Sequence, residues 1–527
     1  SIREYSGYSQ SFAFKINKLS SRLKRYTVRK FRKYNLGNPE LVVISLVGQI
    51  KETLTIKDLS TVHWMDKTLI SRASIRLIQL KILKKTDSEI DKRSHSLELT
   101  NKGKKVAQEV ISTVKLPHPI YIDSASGGTM TDVDGNTYID TTMGFGPIIL
   151  GHNHEAIKDA LNAQMEKGWL FGLPADQQFE LGELLTEASP CAEEVIFANT
   201  GTEATMYAMR AARAFSGKSK IGVFDSAYHG GHDYALLFAT YEEGTNSKPN
   251  GMYASAGISN VIKDETLMLL PYRNEAAYDM IRKNKDDLAA IILEGSQNSN
   301  PRLNNKDFLQ GLRDVCTECD VLLILDEVVT GFRVDYGGIQ GYYGIKADLA
   351  TYGKILGGGF PIGAVAGRED IMAVFSGKGG ERRIFHGGTF NGNPFSMVAG
   401  IAALSYLKEH KDTIYPSLME KGNRLANEIN DFCEKNDYPA QILNAGSKFH
   451  MKFQREPINS GFDIKNYYGG KHKQAENEFY LHLLGQDVIV PGVRLSFICD
   501  AHTDDDVSKI IDSMKYSFNA VREDGLF

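Results

Sequence analysis

The chain has 527 residues, of which 42% are hydrophobic and 24% are charged, and this composition excludes an intrinsically disordered protein. The length is greater than a single hydrophobic core supports, so we expect two or three domains. No apolar run approaches the roughly 18 residues that a membrane helix needs, so we expect no membrane partner. The five cysteines are few and odd in number, which favours a reducing cytoplasm over a disulfide-bonded secreted protein.

The net charge of −4 conceals an uneven distribution. Residues 1–115 hold 24 Lys and Arg against 10 Asp and Glu, a net charge of +14, whereas the rest of the chain holds 37 against 55, a net charge of −18. Such a split indicates that the two parts meet different partners. The basic part is a candidate for binding a polyanion such as double-stranded DNA, and a solvated basic surface without any partner is the alternative.

The basic segment has apolar residues at helical spacing over 11–36, and further helices are predicted over 41–50 and from residue 56. A fourth helix, in DKTLISRASIRLIQL, has Asp66 as its expected N-cap. Two short strands around a charged turn and a final helix from Asn101 complete the segment. The pattern predicts an α+β domain over residues 1–115.

The helix in DKTLISRASIRLIQL separates apolar from polar positions. We expect its buried face to hold Leu69, Ala73, Leu77 and Leu80. The other faces carry the side chains that suit base edges and phosphates in a major groove, which are Lys67, Thr68, Ser71 and Arg72.

Over residues 11–110 the segment resembles a MarR-type winged helix-turn-helix, on the pieces LTIKDLS, DKTLISRASIRLIQL and LELTNKGKK. The resemblance implies that the DKTLISRASIRLIQL helix enters the major groove and that a wing containing Arg93 reaches the minor groove. The final helix is shorter than the dimerisation helix that this family usually has. A protein-docking module or a relic of a DNA-binding domain remains the alternative.

Past a linker at residues 115–119, short apolar runs alternate with amphipathic helices. The runs VIFAN, KIGVFD, LAAIILEG and VLLILDEV suit buried parallel strands. The alternation predicts an α/β domain with a mainly parallel sheet.

Polar and glycine-rich clusters follow several of these strands, where open α/β sheets bind ligands. Gly201 and Thr202 open a helix directly after VIFAN, which is the arrangement of a small phosphate cradle. Tyr228 and His229 follow KIGVFD and offer an aromatic plate. Each of these signals is weak alone, because such turns often only cap helices or pack loops.

Two charged residues complete the pattern. Asp326 ends a strongly hydrophobic strand, where an unpaired acid is costly. Lys354 follows another short strand, where lost hydration lowers the pKa of an amine and makes it a better nucleophile. A phosphate cradle, an aromatic plate, a buried acid and a lysine together fit pyridoxal 5'-phosphate (PLP), with Lys354 as the residue that binds the cofactor covalently and then moves the proton.

Over residues 120–515 the chain resembles the class-III PLP-dependent aminotransferases, specifically their glutamate-1-semialdehyde aminomutase branch. The resemblance rests on eight blocks in order: DVDGNTYID, GPIILGH, NTGTEATMYAMRAAR, YHGGHD, DEVVTGFR, YGKILGGGFPIGA, GGTFNGNPFSMVAG and FICDAHTDDDV. It implies an α/β PLP-dependent transferase of fold type I over residues 116–527. The large domain would span about 172–400, and the small α+β domain would combine 116–171 with 401–527.

The family resemblance also implies roles for single residues. Val328 would pack on the cofactor face opposite Tyr228. The enzyme would be a homodimer with shared active sites, in which Thr389 binds the phosphate of the neighbouring subunit. No residue is expected to bind a metal, and the pair Cys316 and Cys319 is interpreted as helix packing.

Several positions depart from the aminomutase pattern. The stretch KLPHPIYIDSASGG lacks the branch's arginine, Phe145 replaces a tryptophan, and Arg494 replaces a glutamate. We hypothesise that Arg494 grips a substrate carboxylate, and an ion pair between domains is the alternative. Phe171 is a candidate wall residue of the substrate entrance.

We therefore expect an aminotransferase that moves an amino group between an amino donor and a carbonyl acceptor, with the aminomutase reaction as a variant. The changed positions favour transfer between two molecules. A transcriptional regulator whose aminotransferase body senses PLP or an amine is the alternative.

Overall fold

The computed structural model describes residues 36, 38–49, 54–55, 59, 67–87, 95–113, 120–463, 470–491 and 495–527. Residues 11–35 of the predicted helix over 11–36, the cap Asp66, the linker, Arg93 and Arg494 lie outside these residues. None of the described helices combines the length and the apolar character that crossing a bilayer requires.

In the residues of the N-terminal part that the structure describes, the helices accompany a small antiparallel sheet with the order β1-β3-β2. The elements of this part are α1 (Asn38–Gln49), β1 (Leu54–Thr55), α2 (Lys67–Gln79), β2 (Leu83–Asp87), β3 (His95–Leu99) and α3 (Asn101–Thr113). The two predicted strands and the final helix are present at the expected places.

The buried face of α2 differs from the prediction at one position. Ile70, Ala73 and Leu77 are buried in the core of this part, and Ser74 is buried beside them. These positions follow the i, i+3, i+4, i+7 spacing of a single helix face. Leu69 lies one residue, about 100° of helix rotation, away from that stripe and is 45% exposed, so its predicted burial was wrong.

The next segment forms a meander and two helices. It comprises β4 (Ile122–Ser126), β5 (Thr129–Asp132), β6 (Thr137–Asp140), α4 (Glu155–Met165) and α5 (Asp176–Ala188). The central segment then alternates strands and helices: β7 (Glu194–Ala198), α6 (Gly201–Ser216), β8 (Lys220–Phe224), β9 (Leu237–Thr245), β10 (Lys248–Tyr253), β11 (Leu267–Leu270), α7 (Ala276–Asn284), β12 (Leu288–Leu293), α8 (Lys306–Cys319), β13 (Leu322–Asp326), α9 (Gly338–Tyr343), β14 (Leu349–Gly353) and β15 (Gly363–Gly367).

Seven of these strands form one sheet with the order β11-β8-β12-β13-β14-β15-β7. Every residue of β12, β13 and β14 is buried, as expected for strands covered on both faces by helices. Separate apolar clusters lie on the two faces, one around α6 and one around α8. The sheet is mixed, because β15 is antiparallel to both of its neighbours. Residues 354–362, which join β14 to β15, are too few for the crossover of a dozen or more that a parallel neighbour requires.

The C-terminal segment adds α10 (Glu369–Met372), α11 (Pro394–Glu409), α12 (Lys411–Lys435), β16 (Gln441–Ala445), β17 (Lys448–Lys452), α13 (Gly470–Gly485), β18 (Val488–Ile489), β19 (Leu495–Phe497) and α14 (Asp504–Glu523). One small sheet has the order β16-β17-β19. Another has the order β18-β6-β5-β4, so it joins strands that precede and follow the seven-stranded sheet in the chain.

Candidate active site

A cavity of about 870 Å³ opens at the carboxyl edge of the seven-stranded sheet. Parallel strands end at the same edge, which is why side chains far apart in sequence meet there. Residues predicted from the sequence line it together: Phe145, Gly201, Thr202, Tyr228, His229, Asp326, Val328 and Lys354.

Lys354 is the first residue after β14 and adopts a left-handed conformation with φ of 49°. Burial lowers the pKa of its amine, and the nearby charges of Asp326 and Glu294 partly oppose that shift. The lowered pKa enlarges the neutral, nucleophilic fraction of the amine. Lys354 is therefore suited to attack a carbonyl group inside the cavity.

Asp326, at the end of β13, is 5% exposed and well supplied with donors. His229 Nδ1 lies 2.6 Å from Oδ2. The backbone N–H of Val328 and the hydroxyl of Thr351 donate to Oδ1 at 3.0 and 3.2 Å. These three contacts fix the orientation of the buried carboxyl group. The Asp326 side chain is thus held in place on the cavity wall.

His229 connects this carboxylate to the neighbouring loop. Its ring is buried, and Nε2 has no hydrogen-bond partner among the described residues. Its backbone carbonyl accepts a hydrogen bond from the Thr205 hydroxyl at 2.6 Å. The next histidine of the loop, His232, contacts the same hydroxyl at 3.1 Å, and burial lowers its pKa to about 4. The loop after β8 is therefore anchored on α6 by neutral polar groups.

The start of α6 forms the expected cradle for an anion. Thr200 caps the helix, and Glu203 completes a capping box with it. A Cβ atom added at Gly201 would lie 2.8 Å from Cγ1 of Val328, so only glycine fits between helix and cavity. Backbone N–H groups of a first helical turn attract anions, and here they open directly onto the cavity.

Glu294 lines the same cavity and was not among the predicted site residues. Its side chain accepts hydrogen bonds from the backbone N–H groups of Tyr228 and Asn298, both at 2.8 Å. Burial raises the pKa of this carboxyl group. A signal was present, because Glu294 directly follows the buried strand β12.

Some predicted residues are placed elsewhere. Thr389 is exposed, and Phe171 is 45% exposed, and neither lines the cavity. Phe145 does line it and is 52% exposed. His450 of β17 lines the cavity without having been predicted.

The sheet order, the buried lysine and the buried carboxylate at one edge define a class of protein, the PLP-dependent transferases of fold type I. Residues 110–510 match the family model of the class-III aminotransferases, and the chain belongs to this family. The predicted family, enzyme class and cofactor are thereby confirmed. The family model does not reach most of the N-terminal part.

Curated relatives are named glutamate-1-semialdehyde 2,1-aminomutase. The protein of Methanocella arvoryzae is 37% identical over 441 residues, which are 82% of this chain and 100% of the relative. That of Methanocaldococcus jannaschii is 38% identical over 439 residues, which are 82% of this chain and 99% of the relative. The aminotransferase body therefore spans the full length of these enzymes.

Solved structures agree on the fold. An omega-transaminase from Sphaerobacter thermophilus superposes with a TM-score of 0.72 at 30% identity, covering 77% of this chain and 92% of that one. A β-phenylalanine aminotransferase from Variovorax paradoxus has a TM-score of 0.66 at 28% identity, covering 76% and 87%. These relatives are enzymes, so the alternative of a transcriptional regulator is not favoured.

Proposed function

We propose that this aminotransferase moves an amino group from a donor molecule to a separate carbonyl acceptor, in two half-reactions at one site. The observation that carries the proposal is the buried amine of Lys354, whose pKa is lowered by burial, in the same cavity as the Asp326 carboxyl group, which three hydrogen-bond partners hold in place. Such a pair supplies both a nucleophile and a fixed counter-charge, which amino transfer on PLP requires.

The residues of the cavity fit PLP. The α6 start at Gly201 and Thr202 would hold the phosphate, and Asp326 would hold a proton on the pyridine nitrogen. Tyr228 and Val328 would cover the two faces of the ring. When bound, PLP supplies an electron sink for charge that develops next to the transferred nitrogen.

Lys354 has two tasks in this proposal. Its neutral amine would hold the cofactor covalently, and the same amine would take and return the proton of the substrate carbon. His229 keeps the orientation of Asp326 through Nδ1, and its buried ring excludes water from that carboxylate.

Transfer between two molecules is favoured by the positions that differ from the aminomutase pattern, above all Arg494 in place of a glutamate. We propose that Arg494, which lies outside the described residues, binds a substrate carboxylate. A second candidate is the aminomutase reaction itself, because relatives that bear this name are covered over their full length.

A donor screen separates the two candidates. Purified holoenzyme is mixed with single amino donors in the absence of any acceptor, and the absorbance of the cofactor is followed. Intermolecular transfer predicts bleaching of the PLP band and release of one equivalent of carbonyl product, while Lys354→Ala shows no product. Turnover of glutamate-1-semialdehyde alone, with no bleaching by any separate donor, would establish the aminomutase instead.

We propose an N-terminal domain over residues 1–115, a large domain over about 172–400, and a small domain that combines 116–171 with 401–527. It is supported by the strands of the seven-stranded sheet, which all fall between residues 194 and 367, and by the pairing of β18 with β6. We also propose a cytoplasmic location, because all five cysteines are free and buried.

We further propose a homodimer with shared active sites. Large apolar side chains are exposed in two segments of the described chain, Trp169 at 65% and Leu173 at 75% in one, and Phe385 at 80% and Phe390 at 59% in the other. Thr389 lies in the second segment. Exposed apolar groups at this density indicate a protein interface, and the interface would bring Thr389 to the neighbouring cavity.

Complementation tests the shared site. A Lys354→Ala chain and a Thr389→Asp chain are each expected to have very low activity, whereas a mixed dimer regains one site that carries neither change. Recovery to about a quarter of wild-type specific activity is expected from unfolded and co-refolded equimolar mixtures, because half of the dimers are mixed and each mixed dimer has one intact site. A monomer in size-exclusion chromatography with light scattering would contradict the proposal.

For the N-terminal part we propose a winged helix that binds double-stranded DNA. The support is its net charge of +14 over residues 1–115, the antiparallel hairpin of β2 and β3 that follows α2, and the surface of α2. There Thr68 and Arg72 are exposed and Ser71 is partly so, while the side chain of Lys67 is not described. Exposed donors at a helix start suit contact with base edges and phosphates.

A gel-shift series with promoter fragments tests this head. If 6–10 phosphates are contacted, binding falls about 10³–10⁵-fold from 50 to 200 mM salt. Arg72→Ala should weaken binding more than Lys105→Ala, which removes an exposed charge from α3. Absence of a shifted band at low salt would contradict DNA binding without affecting the enzyme proposal.

A further inference from the structure

The turn that precedes Pro147 has a strained backbone. Its four consecutive residues, Met143, Gly144, Phe145 and Gly146, have positive φ angles of 43°, 61°, 65° and 109°. Glycine adopts this region freely, but the side chains of Met143 and Phe145 make it costly. Phe145 and Pro147 line the active-site cavity. Strained residues of this kind persist only where the surrounding contacts hold them, and they cluster at functional sites.

The start of this 143–146 turn is held by the carboxyl group of Asp140, which is fully buried. Its Oδ1 accepts a hydrogen bond from the backbone N–H of Thr142 at 2.6 Å, and its Oδ2 accepts one from the N–H of Met143 at 3.1 Å. Met143 is also fully buried and packs in one apolar cluster with Phe497. The first half of the turn is therefore fixed by contacts inside the proposed small domain.

The end of the turn is held by Arg333, the last residue of the block DEVVTGFR. Its Nη2 donates to the carbonyl of Gly146, and its Nη1 donates to the hydroxyl of Ser447 at 3.1 Å. The guanidinium carbon lies 4.8 Å from the centre of the Phe497 ring, which is within the range of a cation–π contact. All three partners belong to the proposed small domain, whereas Arg333 belongs to the proposed large domain.

Arg333 is buried without a counter-charge. It is 2% exposed, and among the described residues no carboxylate forms an ion pair with it. Burial lowers its pKa to about 10, so the side chain is still a cation at neutral pH. Burying an unpaired charge costs free energy. The charge also acts on the reacting amine, because burial lowers the pKa of Lys354 and the charge of Arg333 acts in the same direction. These observations indicate a role for the cation at the active site.

The backbone that carries Arg333 is itself fixed beside the cavity. The N–H of Arg333 donates to the carbonyl of Thr330 at 3.1 Å, and the carbonyl of Phe332 accepts from the Tyr415 hydroxyl at 3.1 Å. Val328 and Thr330, in the same loop after β13, line the cavity. Arg333 therefore joins two segments of the cavity wall, this loop and the 143–146 turn.

We propose that Arg333 is a positioning residue of the active site, which holds the 143–146 turn on the loop after β13 and so keeps Phe145 and Pro147 fixed as one wall of the substrate space. The inference rests on the proposed function, in which this cavity binds PLP and substrate. Arg333 does not line the cavity, and its effect passes through the Gly146 carbonyl, which directly follows Phe145. A fixed aromatic side chain at this wall limits the bulk of the group that the cavity accepts.

The rate at which amine reagents reach bound PLP tests the wall without any turnover. O-methylhydroxylamine and O-benzylhydroxylamine react with the same carbon of the cofactor but differ in bulk, and the loss of the PLP absorbance band gives a rate constant for each. The ratio of the benzyl to the methyl rate constant should rise roughly threefold or more in Arg333→Met, because a released wall admits the larger reagent. Phe145→Ala should raise the same ratio, since it removes the aromatic side chain from the wall.

A double-mutant cycle connects the two residues. If Arg333 acts through Phe145, adding Arg333→Met to Phe145→Ala should change the ratio little further, so the two effects are strongly non-additive. Arg333→Lys keeps the charge but lacks the planar fork that reaches two acceptors, and its ratio should lie between those of the wild type and Arg333→Met. Additive effects, or an unchanged ratio in either single variant, would overturn the proposal.

Hydrogen–deuterium exchange follows the turn directly. The N–H groups of Phe145 and Gly146 donate to the carbonyls of Thr142 and Met143 at 2.8 and 2.9 Å, so they report whether the turn is closed. In the holoenzyme, exchange of a peptide that covers the turn should be roughly tenfold or more faster in Arg333→Met than in the wild type. Equal exchange rates would contradict the positioning role.

Arg522 of α14 is a matched control. Its guanidinium lies 3.8 Å from the centre of the Tyr438 ring and donates to the carbonyl of Asn436. These are the kinds of contact that Arg333 makes, but none of the three residues lines the cavity. Arg522→Met should lower the melting temperature and leave the reagent ratio and the exchange of the turn unchanged. A purely structural Arg333 would behave in the same way, which would also overturn the proposal.

The outcomes separate this inference from the proposed function. An enzyme that no amino donor bleaches, but whose reagent ratio and turn exchange depend on Arg333, would contradict amino transfer and retain the positioning role. Bleaching by a donor, with both readouts unchanged in Arg333→Met, would retain amino transfer and overturn the positioning role. If Arg333→Met does not fold, Ser447→Ala decides the question, because it removes one acceptor and should shift both readouts in the same direction by a smaller factor.

Discussion

Substitution of Gly230 by alanine should weaken cofactor binding without touching any group that reacts. Gly230 has a φ of +103°, a conformation that L-residues rarely adopt, and lies where the loop after β8 packs on the first turn of α6. A Cβ atom at this position would lie 2.7 Å from Oγ1 of Thr202 and 2.8 Å from its Cα. The loop must therefore move away from Thr202, at the start of the phosphate cradle.

The size of the effect follows from the backbone. Holding a non-glycine residue at such a φ costs about 1–3 kcal/mol, and the close contact with the Thr202 backbone adds to that cost. Without cofactor the loop relaxes and escapes the strain. Binding of PLP restores the packed loop, so the dissociation constant of PLP should rise by about 5- to 150-fold.

The neighbouring glycine is a matched control. A Cβ atom at Gly231 would have no atom within 4 Å, and its backbone N–H, which donates to Thr202 Oγ1 at 3.3 Å, is retained in alanine. Apoenzymes of both variants are titrated with PLP and followed by absorbance. Gly231→Ala should stay within about twofold of wild type. Equal PLP affinities in the two variants would refute the assigned cradle.

Three further changes address the charged groups. Lys354→Ala should reduce kcat by at least about 10³-fold with PLP still bound, measured as steady-state product formation, because the nucleophile and the proton carrier are lost together. Asp326→Asn should reduce kcat by about 10²–10³-fold, because an amide has no negative charge to hold a proton on the pyridine nitrogen. An absorbance spectrum of bound PLP that is nearly the same in the variant and the wild type would contradict this. Burial raises the pKa of Glu327 to about 7 from 4.5, although Thr330 and the Gln340 N–H donate to it. The native state therefore prefers the protonated Glu327, which contributes about 3 kcal/mol to the free energy of unfolding. This contribution is complete below pH 4.5 and is lost as the pH rises through 7. Glu327→Gln cannot ionise, so its melting temperature should fall less than that of wild type between about pH 5 and pH 8.

The residues that follow strands directly in the sequence were the ones that sequence reasoning could find. Asp326 ends a run that is apolar enough to be a buried strand, and Gly201 opens a helix one short turn after another such strand. In both places, a few consecutive residues indicate where the functional residue lies and what chemistry it can perform. The direction of β15 was not visible, because it depends on the short connection over residues 354–362 rather than on the apolar pattern of the strand.

Other site residues depend on contacts that no local pattern contains. The alternation in the β17 sequence KFHMK fits a strand with either face buried. The packing of β17 against the loop of Asn298 is what shows that His450 faces the cavity. Thr389 and Phe171 are exposed in a single chain. Their proposed roles therefore depend on contacts with a second subunit, which a sequence pattern does not reveal.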